Sequence, residues 1–284
     1  MNCKKYSTWF VVPALAIFTL FFLIPMISSL FFSMTVWNFD SFTFNGVKNF
    51  ELFFTDDSLS IGIKNTIVYA VLTCLLKVIL AFLIAIFLTG KIKTKNFLRS
   101  VVFFPNLVST VAVGITFSAL MHPSKGLINK VLEFINIPAV DWLGNTNLAL
   151  FSVIATDVWK GVGIATVIYI AGIQSIDRSY YEAAAIDGAT GWEQLKCITL
   201  PLVRPAMNSV IILAFIGGMR SFDLIWAMTG GGPGFATDVM ASIIYKQYAA
   251  GYYGLSTAGN VIMFVLIAGL AYPLQKYLLS KEVR

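Results

Sequence analysis

A chain of 284 residues with 58% hydrophobic side chains, 12% charged ones and a mean hydropathy of +0.80 is too apolar for an ordinary water-soluble domain, where charged residues make up about a quarter. Its net charge of +6 is parcelled into short connections between apolar runs, so it reads as topogenic charge and excludes a basic face for nucleic acid. Cys3, Cys74 and Cys197 have no paired spacing and are expected as free thiols; His122 stands alone, which leaves no metal cluster, no nucleophile-base set and no cofactor.

Lys4 and Lys5 precede the apolar run Trp9 to Phe32, which is long enough to span a bilayer and lacks a small-x-small cleavage site. It is expected as an uncleaved first span. Five further apolar stretches follow, Thr66 to Gly90, Val101 to Met121, Leu148 to Ile173, Met207 to Met228 and Gly259 to Leu279. The fold class is therefore all-α, a polytopic membrane protein of about six transmembrane helices. Between the first two spans, Val36 to Ile61 carries Asn38, Asp40, Asn45-Gly46, Asp56 and Asp57, a turn-rich outer connection. Between the third and fourth, Leu127, Ile128, Val131, Leu132 and Ile135 recur at helical spacing and predict a short amphipathic helix over Gly126 to Ile137, packed on its own protein.

After the fourth span the chain turns polar, from Tyr180 to Pro205. Glu182-Ala183-Ala184-Ala185 is strong helix-forming sequence, Asp187-Gly188 breaks it, Trp192 to Ile198 resumes it and Pro201 ends it. Trp192, Leu195 and Ile198 share a face of the second helix, an apolar face in need of a partner. Beyond the fifth span, Thr229 to Gly234 is too glycine-rich to stay helical and predicts a turn. No strand precedes it and no Lys-Ser/Thr follows, so it is not a nucleotide loop.

Short-loop lysines and arginines set the orientation. Lys4, Lys5, Lys91, Lys93, Lys95, Arg99, Arg178, Lys196, Arg204, Lys276, Lys281 and Arg284 fall on one side, against Lys48, Lys64, Lys125, Lys130 and Lys246 on the other. The richer side is the cytoplasm, which places both termini and the hairpin there.

Glu182-Ala183-Ala184, then Gly188, then Ile198-x-Leu200-Pro201 resemble the EAA motif of the integral-membrane permease subunits of bacterial binding-protein-dependent ABC importers. Phe222-Asp223-Leu224-Ile225-Trp226, Thr229-Gly230-Gly231-Gly232-Pro233 and Ala236-Thr237 resemble the sugar-permease branch, of the maltose, multiple-sugar and glycerol-phosphate type. The resemblance implies a transport subunit and not an enzyme, lodged in a bacterial cytoplasmic membrane. It implies residues 1–60 as an N-terminal transmembrane helix with its outer loop, and 61–284 as an ABC-type transport domain containing the EAA loop 180–205. Its expected partners are a second related permease in a heterodimer, two ATP-binding cassette ATPase subunits that hydrolyse ATP, an extracytoplasmic solute-binding protein, a sugar and the lipid bilayer, with no nucleic acid. On that resemblance Glu182, Ala183, Ala184, Asp187 and Gly188 form the coupling helix and its exit turn.

Charges inside spans are the second informative set, since an ionisable group in hydrocarbon costs about 2.5–3.5 kcal/mol on insertion scales. Lys77 sits near the middle of the second span. Asp157 and Lys160 in the fourth, and Arg220 and Asp223 in the fifth, lie three apart, a spacing that puts each pair on one helical face. Asn106, Ser109 and Thr110 share a face by the same rule, and Trp159, Asn208 and Ser209 add an aromatic face and hydrogen-bonding groups suited to a sugar. Two readings stand: a polar translocation path, or self-neutralised pairs and polar glue between helices. The rival to an ATP-driven importer is a secondary transporter driven by an ion gradient through Lys77, Asp157, Arg220 or Asp223.

Overall fold

The computed structural model describes residues 8–38, 41–90 and 92–282. Cys3, Lys4, Lys5, Asp40, Lys91, Arg284 and both termini lie outside them. Those residues gather into two units. One holds the chain up to Ser60 with Ile243–Val265, the other Ile61–Ser242 with the chain from Leu266 onward.

The first unit begins with α1 (Trp9–Phe32), whose 24 residues span about 36 Å at 1.5 Å each, enough for a bilayer core. None of its apolar window is buried inside the protein, as expected of a helix whose solvent is lipid. The connection that follows is more ordered than its turn residues predict. It forms an antiparallel hairpin of β1 (Thr35–Trp37) and β2 (Phe42–Phe44), followed by α2 (Lys48–Thr55). Buried Asn49 donates to the carbonyls of Ser33 (2.9 Å) and Thr35 (2.8 Å), and Trp37 stacks on Phe32 at 4.4 Å. Fully buried Phe53 packs on Gly259, in the second turn of the last helix (Tyr253–Ser280), where a Cβ would lie 2.6 Å from its ring.

The second unit is a helix bundle. Helix α3 (Asp57–Thr89) enters it at Ile61, beginning well before the predicted span. It is followed by α4 (Lys95–Leu107), α5 (Thr110–Leu120), the short helix α6 (Leu127–Phe134) and α7 (Ala149–Gln174). The most enclosed span is α7, with half of its apolar window buried, against 28% for α3. The expected amphipathic helix forms, over Leu127–Phe134. Its buried Asn129 is the organiser that periodicity did not reveal: it donates to the carbonyls of Pro123 and Val140 (both 2.8 Å) and accepts from Trp142 Nε1 (2.9 Å).

Two predicted spans are broken. The stretch Val101 to Met121 bends by 96° between α4 and α5. Pro105 near the end of α4 removes a helical N–H and crowds the carbonyl four residues back, and Val108 turns extended at ψ 140°. The stretch Met207 to Met228 instead comprises α10 (Arg204–Met219) and α11 (Asp223–Thr229), with Arg220, Ser221 and Phe222 outside both. Paired Gly217-Gly218 weakens the helix just ahead of that break.

Apolar packing joins these pieces in layers. Tyr69, Val113, Val153, Leu224 and Ile225 unite α3, α5, α7 and α11; Ala81, Ala85, Ala165, Tyr169 and Val210 unite α3, α7 and α10. Gly163 lets α4 meet α7, since a Cβ there would fall on the backbone of Val102 and Phe103, whereas one on Gly217 would meet nothing within 4 Å. Gly163→Val should therefore destabilise the bundle by about 1–3 kcal/mol, the usual cost of overpacking, and Gly217→Ala should not. The thermal midpoint of the detergent-purified protein measures both; equal midpoints would show that α4 and α7 can separate freely.

Candidate functional site

The first candidate is the polar hairpin. From α7 the chain turns at Ser175 into α8 (Arg178–Ile186), which carries Glu182, Ala183 and Ala184. Asp177 caps it by accepting from the Ser179 N–H at 2.9 Å, and this hydrogen bond holds its carboxyl below the usual range. At the far end Asp187 is the last turn and Gly188 adopts φ +80°, the left-handed conformation that costs a side-chain-bearing residue about 1 kcal/mol or more. The Gly188 N–H donates to Ala185 O and that of Ala189 to Ala184 O, closing a Schellman cap.

Helix α9 (Gly191–Leu202) follows, opened by a capping box that a local signal, Thr190-x-x-Glu193, could have revealed. Two expectations fail here. The resumed helix widens into a π segment, Leu195–Thr199, and Pro201 does not end it: the helix runs to Leu202 and bends by 65° into α10. Pro201 sits in the first turn of the segment after the π turn, where a missing N–H costs little. Across the hairpin, Tyr181 Oη and Thr199 Oγ1 meet at 2.9 Å and pin α8 to the π segment. None of the residues of α8 is buried, and Ile186 (87% exposed) and Trp192 (72%) stand free on a tightly capped scaffold.

The second candidate is a cleft of about 340 Å³ between α3, α4, α5, α7 and α10. Asn106, Thr110, Asp157 and Lys160 line it with Lys77 and Gly161. Asn106 and Thr110 reach it from opposite sides of the break, so the shared helical face with Ser109 does not exist; Ser109 forms the corner itself and is not part of the lining. Nor is Asp157 paired with Lys160. Its Oδ2 accepts from Lys77 Nζ at 2.7 Å, bridging α7 and α3 with both side chains largely shielded. Gly161 makes room for that bridge, since a Cβ there would lie 2.7 Å from Lys77 Cε.

The remaining candidates lie elsewhere. Trp159 packs on Phe117 at 5.0 Å, away from the lining. Asn208 donates to Glu282 Oε1 (2.7 Å) and the Leu278 carbonyl (3.2 Å), and Ser209 back-bonds to Pro205 O. Arg220 and Asp223 are separated by the break, share no helical face and form no ion pair among the described residues; both are exposed. The glycine turn after α11 has Gly230, Gly231 and Gly234 at positive φ. It is tied down by Thr237, which donates to Gly232 O at 2.7 Å, and by Asn65, which donates to Ala236 O (3.1 Å) and Asp238 O (2.9 Å). Asn65 lies 171 residues from Ala236, and no sequence pattern links them.

Residues 77–282 match the family described as binding-protein-dependent transport system inner membrane component. The chain belongs to this family. It is thus the membrane-spanning component of a binding-protein-dependent transport system, and nothing supports an ion-driven carrier. The permease is 32% identical over 265 residues to the trehalose/maltose transport system permease protein MalF of Thermococcus litoralis, covering 93% of this chain and 90% of that one. It is likewise 32% identical to the multiple sugar-binding transport system permease protein MsmF of Streptococcus mutans, covering 98% and 97%. Its fold superposes with a TM-score of 0.84, at 24% identity and over 95% of this chain and 93% of the other, on a bacterial ABC transporter involved in the import of the acidic polysaccharide alginate.

Removing one member of the Lys77–Asp157 bridge strands a charge in a low-dielectric place, whereas removing both strands none. Lys77→Met and Asp157→Leu should each cost about 2–3 kcal/mol, less than for a fully buried pair because both side chains keep some exposure, and lower the yield of folded permease. The double variant should recover much of it. A double-mutant cycle on yield and thermal midpoint measures the coupling, and additive losses would show that the bridge is not the stabilising contact.

Proposed function

We propose that this permease is one of two related membrane subunits of an ATP-driven importer that carries a sugar or oligosaccharide across a cytoplasmic membrane. On this reading solute arrives from an extracytoplasmic binding protein, and ATP is hydrolysed by two ATPase subunits on separate chains. The relatives named for trehalose/maltose and for multiple sugars support the solute class. The single observation that carries the coupling is α8: a helix with no buried residue, capped at both ends and flanked by exposed Ile186 and Trp192, is built to be buried by another chain. Glu182, Ala183, Ala184, Asp187 and Gly188 are then the docking helix and its exit turn. Residues 61–284 act as the transport domain, with residues 1–60 as an added helix and outer loop. Asn106, Thr110, Asp157 and Lys160 line the solute path, and the cleft's size falls within the range of small-molecule sites, about 300–1,000 Å³.

Gly188→Val opposes the left-handed cap and Glu182→Lys inverts the acid on the docking helix. Each should lower ATP-driven uptake by about tenfold and loosen the ATPase, while membrane insertion persists. Uptake in proteoliposomes and copurification of the ATPase measure this; normal rates with ATPase bound in both variants would remove the hairpin from the coupling role.

The orientation follows from the lysine and arginine asymmetry. With native cysteines replaced, a cysteine at Lys93 or Ser179 should be shielded from an impermeant thiol reagent in intact cells, and one at Asp57 or Lys125 should react. Labelling at Ser179 would invert the topology.

A further inference from the structure

The charges in the cleft do not balance. Lys77 and Lys160 bring two cations, Asp157 is the one carboxylate in the lining, and the Lys77–Asp157 bridge consumes it. Lys160, a turn along α7, has neither an ion pair nor a hydrogen bond among the described residues. Gly161 adds a second constraint. A Cβ there would lie 2.9 Å from Lys77 Nζ, so Lys77 lies across the bare backbone of α7 with its ammonium held to Asp157, although it still lines the cleft. The spare positive charge that faces the cleft is therefore that of Lys160. Ile164, Ile168, Leu213 and Ala214 form an apolar wall beside it, which weakens dielectric screening. Asn106 and Thr110 supply neutral hydrogen-bonding groups on the other side.

We propose that the cleft is selective for a saccharide bearing an anionic oxygen group, a carboxylate or a phosphate, which Lys160 binds. This rests on the reading of the chain as a saccharide importer and narrows it. A neutral sugar passing this point leaves the ammonium unpaired at every turnover, whereas an anionic one neutralises the cleft as it enters. Gly161 is a positioning residue: by seating Lys77 on Asp157 it keeps that carboxylate from cancelling Lys160.

The test is uptake by the complete importer, with its partner permease, ATPase and binding protein, of three labelled probes: trigalacturonate for the carboxylate, trehalose 6-phosphate for the phosphate, and maltotriose as the neutral control. The wild type is expected to accumulate at least one charged probe in preference to maltotriose, and which one tells carboxylate from phosphate. Lys160→Gln should cut that uptake about tenfold or more, the loss expected for one charge-assisted hydrogen bond, and Lys160→Arg should restore most of it. Import of maltotriose alone overturns the inference while leaving the saccharide reading intact, as does a Lys160→Gln importer that takes up the charged probe at the wild-type rate. Failure of all three probes overturns the anionic preference, and failure of trehalose, maltose and a mixed oligosaccharide panel as well sinks the saccharide reading itself. Where Lys160→Gln does not assemble, Lys160→Ala takes its place and is judged by the same change in the ratio of charged to neutral uptake.

Discussion

A lysine in the middle of a hydrocarbon slab must find an anion, and the bundle is arranged around how Lys77 finds one. Its partner Asp157 is on another helix, 80 residues away, so the bridge fixes the register of α3 against α7. That register needs Gly161 beneath the lysine and brings Ala81 and Ala85 of α3 onto Ala165 and Tyr169 of α7 one layer further along. The bridge and the small-residue seam are mutually supportive. Moving one helix by a turn would break the ion pair and put side chains where only glycine and alanine fit.

The broken spans follow from a second constraint. Backbone polar groups released where a helix stops cannot face lipid, so a break at membrane depth is tolerated only where protein or a polar cavity receives it. The corner at Val108 and Ser109 obeys this rule: Asn106 and Thr110, on its two sides, both reach the cleft. At the second break, the Arg220 and Ser221 N–H groups still donate to carbonyls of α10, and the Ser221 hydroxyl donates to Tyr69 at 3.3 Å. At both breaks the irregular backbone is thus received by protein groups or by the cleft, not by lipid.

These two constraints explain what could be read from the residues and what could not. Span existence and the hairpin cap were legible because each is local: apolar length decides the first, and Gly188 after Glu182-Ala183-Ala184-Ala185 decides the second. Helical spacing misled wherever continuity was assumed. Asn106 with Ser109 and Thr110, and Arg220 with Asp223, share faces only on unbroken helices, and Pro105 was the visible warning for the first. The partner of Asp157 was misjudged for another reason. Lys160 is nearer in sequence, but the interhelical lysine has room to approach because residue 161 has no side chain. Asn65 and Asn129 escaped notice because their partners are loop carbonyls, which leave no pattern in the sequence.

The hairpin's place in the chain gives it mechanical leverage on the cleft. It leaves α7 at Ser175 and enters α10 at Arg204, and these helices supply facing walls, with Asp157 and Lys160 on one and Leu213 and Ala214 on the other. The Schellman cap, the capping box and the Tyr181–Thr199 contact leave few soft torsions within it. On the proposed reading, a push on α8 by a docked partner is therefore transmitted, not absorbed. Compliance is concentrated instead at the 65° bend before α10. On the proposed reading, closure of an ATPase pair rotates a stiff lever about that bend and parts the walls of the cleft, while the Lys77–Asp157 bridge keeps α3 moving with α7.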